Sequence, residues 1–209
     1  MDTEKMIASL LLQIKAIKLS PATPFTWASG WKSPIYCDNR KTLSYPMVRK
    51  TIRDEFAMRI RQDYPDAQLI AGVATGAIAH GVLVADILEL PFVYVRSEAK
   101  GHGLGNQIEG SYTPGMKTVI VEDLISTGGS SLSAFKALQE AGLDVLGMLA
   151  IFTYGFPQAT ENFRKSGCRL DTLSNYGSLI ELGVHSGEIA IEQAELLKKW
   201  REDPAGWQG

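Results

Sequence analysis

Four short apolar runs constrain this chain more than anything else in it. They are residues 69–73 (Leu-Ile-Ala-Gly-Val), 92–95 (Phe-Val-Tyr-Val), 117–121 (Lys-Thr-Val-Ile-Val) and 145–152 (Val-Leu-Gly-Met-Leu-Ala-Ile-Phe). Stretches with helical spacing, 77–88 and 130–141, fall between them. A strand buried on both faces reads as a continuous apolar run, and strands that alternate with helices build a parallel sheet. The fold class is therefore α/β, a central parallel sheet flanked by helices. In open parallel sheets ligands sit beyond the carboxyl ends of the strands. Three of the runs lead directly into unusual loops, after Val73, Val95 and Val121, and all three would open on one rim.

Each loop carries its own chemistry. Residues 119–133 read V-I-V-E-D-L-I-S-T-G-G-S-S-L-S: a β-type run, the adjacent carboxylates Glu122 and Asp123, then a Ser/Thr/Gly turn before a helix. Carboxylates at a strand end can accept hydrogen bonds from sugar hydroxyls, while small residues let backbone N–H groups and a helix N-terminus close around a phosphate. No Gly-Lys-Ser/Thr follows the glycines, so this is not a Walker A loop. On the glycines alone, a plain strand–turn–helix connection explains the segment equally well. Residues 72–77 form a second small-residue turn whose amides could hold a pyrophosphate, and an ordinary tight turn fits that spacing as well. Residues 94–114 gather Arg96, Lys100 and His102 among the glycines 101, 103, 105 and 110. Such a stretch cannot form a core and suits a mobile lid over an anionic substrate, with a solvated hairpin as the alternative.

Residues 122–130 resemble the 5-phosphoribosyl 1-pyrophosphate (PRPP) motif of the type I phosphoribosyltransferases. Three further stretches extend the likeness to the orotate phosphoribosyltransferase family over nearly the whole chain: Phe25-Thr26-Trp27-Ala28-Ser29-Gly30-Trp31-Lys32-Ser33-Pro34, Gly72-Val73-Ala74-Thr75-Gly76-Ala77, and Arg96-Ser97-Glu98-Ala99-Lys100-Gly101-His102-Gly103. The resemblance implies the type I phosphoribosyltransferase fold as a single domain over residues 1–209. About 1–44 would contribute a small N-terminal hood over the base, and about 96–112 a mobile catalytic loop. The implied activity is transfer of the phosphoribosyl group from PRPP to orotate in pyrimidine (UMP) synthesis, with Mg²⁺ held mainly by PRPP rather than by protein ligands. It also implies a homodimer whose catalytic loop reaches into the neighbouring subunit's site.

Residue by residue, the resemblance assigns catalytic roles to Arg96, Lys100, His102 and Asp123. PRPP would be bound by the same cations, by Thr75 and Gly76, and by Glu122, Asp123, Leu124, Ile125, Ser126, Thr127, Gly128, Gly129 and Ser130. Orotate would meet Ser126, Tyr36 and Cys37. The chain departs from the pattern in three places. Ser97 stands where many orotate enzymes carry a lysine, Ala28 where several do, and Thr153-Tyr154-Gly155-Phe156 where some place an arginine against orotate.

The remaining stretches fit around this frame. Met6, Ile7, Leu10, Leu11, Ile14 and Ile17 recur at three- to four-residue spacing and predict an amphipathic first helix. Residues 20–44, rich in Pro, Ser, Trp and Gly, predict short strands and turns, and residues 45–60 return to helical spacing through Val48, Ile52, Phe56 and Ile60. Gly142 suits a helix C-cap. On spacing alone Trp27, Trp31 and Tyr36 read as packing. His80 reads as a packed or capping residue, and His185 as a cap for the last helix.

A net charge of −2 over 209 residues provides no general attraction to nucleic acid or an anionic membrane. Cys37 and Cys168 make no disulfide framework, and with no signal-peptide pattern and no apolar run of about 18 residues the expectation is a cytoplasmic protein. No His/Cys cluster has zinc-ligand spacing, and the loop serines lack a G-x-S-x-G elbow. Two other readings remain: a phosphoribosyltransferase for another base, since the PRPP motif does not name the acceptor, and a PRPP-sensing regulator without catalysis. The regulator would need a basic face or an added nucleic-acid-binding region.

Overall fold

The computed structural model describes residues 2–20, 23–27, 30–96 and 107–207. Helix α1 (Thr3–Gln13) leads into the small strands β1 (Ile17–Leu19), β2 (Phe25–Thr26), β3 (Lys32–Ser33) and β4 (Ile35–Cys37). A 3₁₀ turn (Asn39–Ser44) and helix α2 (Pro46–Asp63) follow, then β5 (Leu69–Val73), α3 (Ile78–Leu88), β6 (Phe92–Val95) and β7 (Ile108–Glu109). The chain continues through β8 (Lys117–Ile125), α4 (Gly129–Glu140), β9 (Asp144–Thr153) and α5 (Pro157–Ser166), and ends with β10 (Leu170–Asn175), α6 (Tyr176–Ser186) and α7 (Ile191–Glu202).

Six strands form the central sheet in the order β10-β9-β8-β5-β6-β7; all pair in parallel except the edge strand β7, which runs antiparallel to β6. The apolar runs become its middle: all five residues of β5 are buried, as are Val119, Ile120 and Val121 of β8 and residues 148–152 of β9. Crossovers through α3 and α4 return each strand in the same direction, so β5, β6 and β8 end side by side. β1 with β4 and β2 with β3 make two antiparallel ribbons, the hood. Among the described residues no helix is long and apolar enough to cross a membrane.

Five details differ from those predicted. The first helix stops at Gln13, because Lys15 adopts a left-handed conformation (φ 54°) that turns the chain, and Ile17 pairs with Cys37 in β1. Ile17 is buried in either arrangement, so apolar spacing cannot separate the two. The third apolar run does not end at Val121 but continues as strand through Ile125, paired with β9 as far as Thr153. Part of the 20–44 segment is a 3₁₀ turn. His185 lies in the last turn of α6, and α7 is capped at Ala190 instead. Ala141 is the C-cap of α4, with Gly142 just beyond it.

Candidate active site

Two adjoining clefts open at the carboxyl rim of the sheet. The first, of about 390 Å³, lies between the loop after β5, the end of β8 and the hood; its walls include Thr75, Gly76, Glu122, Asp123, Ser130, Asp38 and Arg40. The second, of about 320 Å³, is lined by Thr26, Trp27, Tyr36, Cys37, Leu124, Ser126 and Tyr154. Cys37 and Leu124 line both, so they form the partition. One cleft is rich in carboxylates and small residues, the other in aromatic rings. A larger groove between α6 and α7, about 400 Å³, collects none of the predicted site residues.

β8 continues as strand through both carboxylates, and Glu122 meets Ser131 of α4 while Asp123 meets Gly76 of the loop after β5. Glu122 is only 4% exposed, and its two oxygens accept from the Asp123 N–H (2.9 Å) and the Ser131 hydroxyl (2.8 Å). Burial, and then the neighbouring Asp123, pushes its carboxyl well above the usual carboxylate range. Burial also raises Asp123, while its link to Glu122 and the Arg40 guanidinium pull it back down. The Asp123 carboxylate lies directly over Gly76, where any Cβ would collide with it. That close approach is what requires glycine in the loop after β5, whose Ala74–Thr75 peptide is cis.

The hood is tied to this acid pair by side-chain bonds. Asn39 Nδ2 donates to the Asp123 carbonyl at 2.5 Å, and its Oδ1 accepts from the Cys37 thiol at 3.2 Å. The Thr42 hydroxyl donates to the Asn39 carbonyl at 2.5 Å and lies 3.0 Å from His80 Nε2. The hydroxyl has spent its proton on Asn39, so the imidazole carries its own on Nε2. Nδ1 is buried with no partner among the described residues. Protonating it would create a desolvated N–H⁺ facing nothing, and burial, with Arg49 nearby, lowers the His80 pKa to about 4. Burial likewise keeps the Cys37 thiol neutral.

The base-sized cleft rests on an aromatic floor. Trp200, fully buried, sits 5.6 Å from Trp27, 5.8 Å from Tyr154 and 5.3 Å from Phe156, and its indole N–H donates to the Lys32 carbonyl at 3.1 Å. Tyr154 and Phe156 stack nearly parallel at 5.3 Å. The stretch 153–156 is thus given over to packing. Trp27 and Trp31 belong to the same cluster, as predicted, while Tyr36 stays 41% exposed at the mouth.

The predicted residues fall into three groups. Thr75, Gly76, Glu122, Asp123, Leu124 and Ser130 come together in the first cleft, and Tyr36, Cys37 and Ser126 in the second. Ile125 is fully buried beneath them. Thr127 and Gly128 make the turn into α4, with the Thr127 carbonyl accepting from Asn162 Nδ2 at 3.2 Å; Gly128 has φ 82° and faces the Phe163 ring, and Gly129 opens the helix. Arg96 lines neither cleft and pairs with Glu109 at 3.6 Å beside β7. Lys100 and His102 lie outside the described residues, as do Ala28 and Ser97. Sequence reasoning missed Asp38, Asn39, Arg40, Ser131 and Tyr154. The run Asp38-Asn39-Arg40, two hydrogen-bonding groups and a cation directly after a hood strand, was the available signal.

Among the described residues no cluster of His, Cys, Asp and Glu could hold a metal on its own. The oxygens of Asp123 and Asp38 in the first cleft are nonetheless the hard donors that Mg²⁺ accepts alongside substrate phosphates. Chemically, the first cleft can grip a sugar phosphate and the second a flat ring.

Comparison with known proteins agrees with that geometry. Residues 47–184 match the phosphoribosyl transferase domain family. The chain is 57% identical over 203 residues to the orotate phosphoribosyltransferase of Porphyromonas gingivalis, covering 97% of each. It is 53% identical over 208 residues to that of Lactococcus lactis subsp. cremoris, covering both completely. The solved orotate phosphoribosyltransferase from Aeropyrum pernix superposes with a TM-score of 0.75 at 30% identity, covering 84% of this chain and 97% of that one.

Proposed function

The chain belongs to the phosphoribosyl transferase family, among its orotate phosphoribosyltransferases, and from that premise we propose that it transfers the 5-phosphoribosyl group of PRPP to orotate. The products are orotidine 5′-monophosphate and pyrophosphate, a step of pyrimidine synthesis. The observation that carries the reading is the pair of clefts sharing Cys37 and Leu124: a phosphate and sugar site lies against an aromatic, base-sized site. The distance between the two is one partition, so a ring in the second can attack a sugar in the first.

In this reading the bond from the anomeric carbon to the pyrophosphate oxygen breaks as a bond to the orotate ring nitrogen forms. Positive charge builds on the sugar and negative charge on the leaving group, so positioned charges do most of the work. Asp123 holds the ribose hydroxyls. Glu122, whose oxygens bond Ser131 and the Asp123 amide, fixes the strand end that presents it. The Thr75–Gly76 loop takes the pyrophosphate, and residues 126–130, at the N-terminus of α4, take the 5′-phosphate. Tyr36, Cys37 and Ser126 contact orotate. Arg96 and, by resemblance, Lys100 and His102 offset charge on the departing group. Mg²⁺, bound mainly by PRPP, would neutralise pyrophosphate charge. The reading extends to one domain working in a homodimer, and to the cytoplasm, consistent with two free cysteines.

The test is loss of orotate ultraviolet absorbance with PRPP and Mg²⁺, run beside hypoxanthine, adenine, xanthine and uracil. PRPP-dependent consumption of orotate alone is expected. Turnover of another base would overturn the acceptor while keeping the PRPP site.

A further inference from the structure

The first cleft has a charge problem. A pyrophosphate would enter a space walled by the carboxyl groups of Asp38 and Asp123, and the Thr75–Gly76 loop offers it only backbone and a hydroxyl. Among the described residues that line this cleft, Arg40 alone carries a full positive charge. It sits in the 3₁₀ turn directly after hood strand β4, so it meets the cleft from the hood while the loop meets it from the sheet. Its Nε donates to Asp38 Oδ1 at 2.7 Å. Among the described residues that is its one bonded partner, which leaves the outer edge of the guanidinium fork available for a planar, bidentate anion contact.

We infer that Arg40 is a binding residue for the pyrophosphate group of the phosphoribosyl donor, aimed by Asp38. This rests on the phosphoribosyl-transfer reading above. Two simpler roles fit less well. Were Arg40 there only to balance Asp123, its hydrogen bond would go to that carboxylate, yet it goes to Asp38. Were it there for the carboxylate of orotate, it would line the aromatic cleft, and it does not. Its electrostatic reach to Asp123 and Tyr36 fits a group near the partition that faces the donor side.

The experiment compares wild type, Arg40→Gln and Arg40→Lys in three measurements: pyrophosphate binding by calorimetry with Mg²⁺ and no base, KM for PRPP, and KM for orotate at saturating PRPP. Charge-assisted hydrogen bonds from a partly exposed side chain imply a weakening of about tenfold. Arg40→Gln should weaken pyrophosphate binding and raise the PRPP KM by that amount, with the orotate KM within about twofold. Arg40→Lys keeps the charge without the fork and should fall between. The side chain is 61% exposed, so both variants should fold. Unchanged pyrophosphate affinity would overturn the inference, and so would a rise confined to the orotate KM. If wild type bound pyrophosphate in an Arg40-dependent way but left orotate untouched, the acceptor assignment would fail and this inference would stand.

Discussion

Lowering the pH should destabilise this protein through His80, in a way that a single substitution removes. The imidazole is 1% exposed, gives its Nε2 proton to Thr42 and leaves Nδ1 without a partner among the described residues. The groups facing it are Arg49 of α2, which disfavours protonation, and the Asn39 carbonyl, which favours it; burial outweighs both. Its pKa drops from 6.5 to about 4 on folding, so the unfolded chain binds the proton more tightly. The group therefore costs nothing well above pH 6.5, penalises the fold increasingly between 6.5 and 4, and adds no further loss below that. Integrated, the penalty grows by about 1.3 kcal/mol between pH 7.5 and 5.5 and saturates at about 3 kcal/mol. Urea unfolding of wild type and His80→Gln across that range isolates it, because the other titrating groups cancel in the difference. The variant should gain about 1.3 kcal/mol relative to wild type by pH 5.5. A difference independent of pH, or an NMR titration of His80 near 6.5, would refute the reasoning.

Two other perturbations separate the donor cleft from the base cleft. Gly76→Ala puts a Cβ where the Asp123 carboxylate sits, so that carboxylate must swing away. PRPP KM should rise at least about tenfold with little change in the urea midpoint, and an unaltered KM would remove Asp123 from ribose binding. Trp200→Ala empties the floor under Trp27 and Tyr154 and orphans the Lys32 carbonyl. It should cost about 3–5 kcal/mol, roughly 10 °C in a domain of this size, and raise the orotate KM more than pyrophosphate Kd. Calorimetry and steady-state kinetics read both.

The sheet was legible in the sequence because continuous burial writes itself as continuous apolar runs, and β5, β8 and β9 are such runs. Their shared rim followed from the parallel topology. The side-chain ties across the rim were not legible. Asn39 reaches Asp123 across 84 positions and Thr42 reaches His80 across 38, and no local pattern encodes a partner so distant. The acid pair was half legible. Residues 122 and 123 were recognised together, but with the strand expected to end at Val121 they looked like two equivalent loop groups. Three more strand pairs, out to Ile125 with Thr153, hold the segment extended, with Glu122 bonded to Ser131 and the Asp123 carboxylate set over Gly76. Trp200 passed unnoticed because a tryptophan in a polar helix, Lys198-Lys199-Trp200-Arg201, shows nothing of what it will cover.

The floor made by Trp200 fixes an order for the chain's own synthesis. Everything proposed to hold phosphate and ribose, from Asp38 and Arg40 to Ser130, lies in the first 130 residues. The wall of the base cleft begins at Thr26, yet the tryptophan beneath it is incorporated some 170 residues later. Glu4 of α1 likewise waits for Asn175 and Ser178, whose side chains donate to it at 2.8 and 2.6 Å. A growing chain could assemble its donor cradle on the ribosome, but it closes the acceptor pocket only after its last helix emerges.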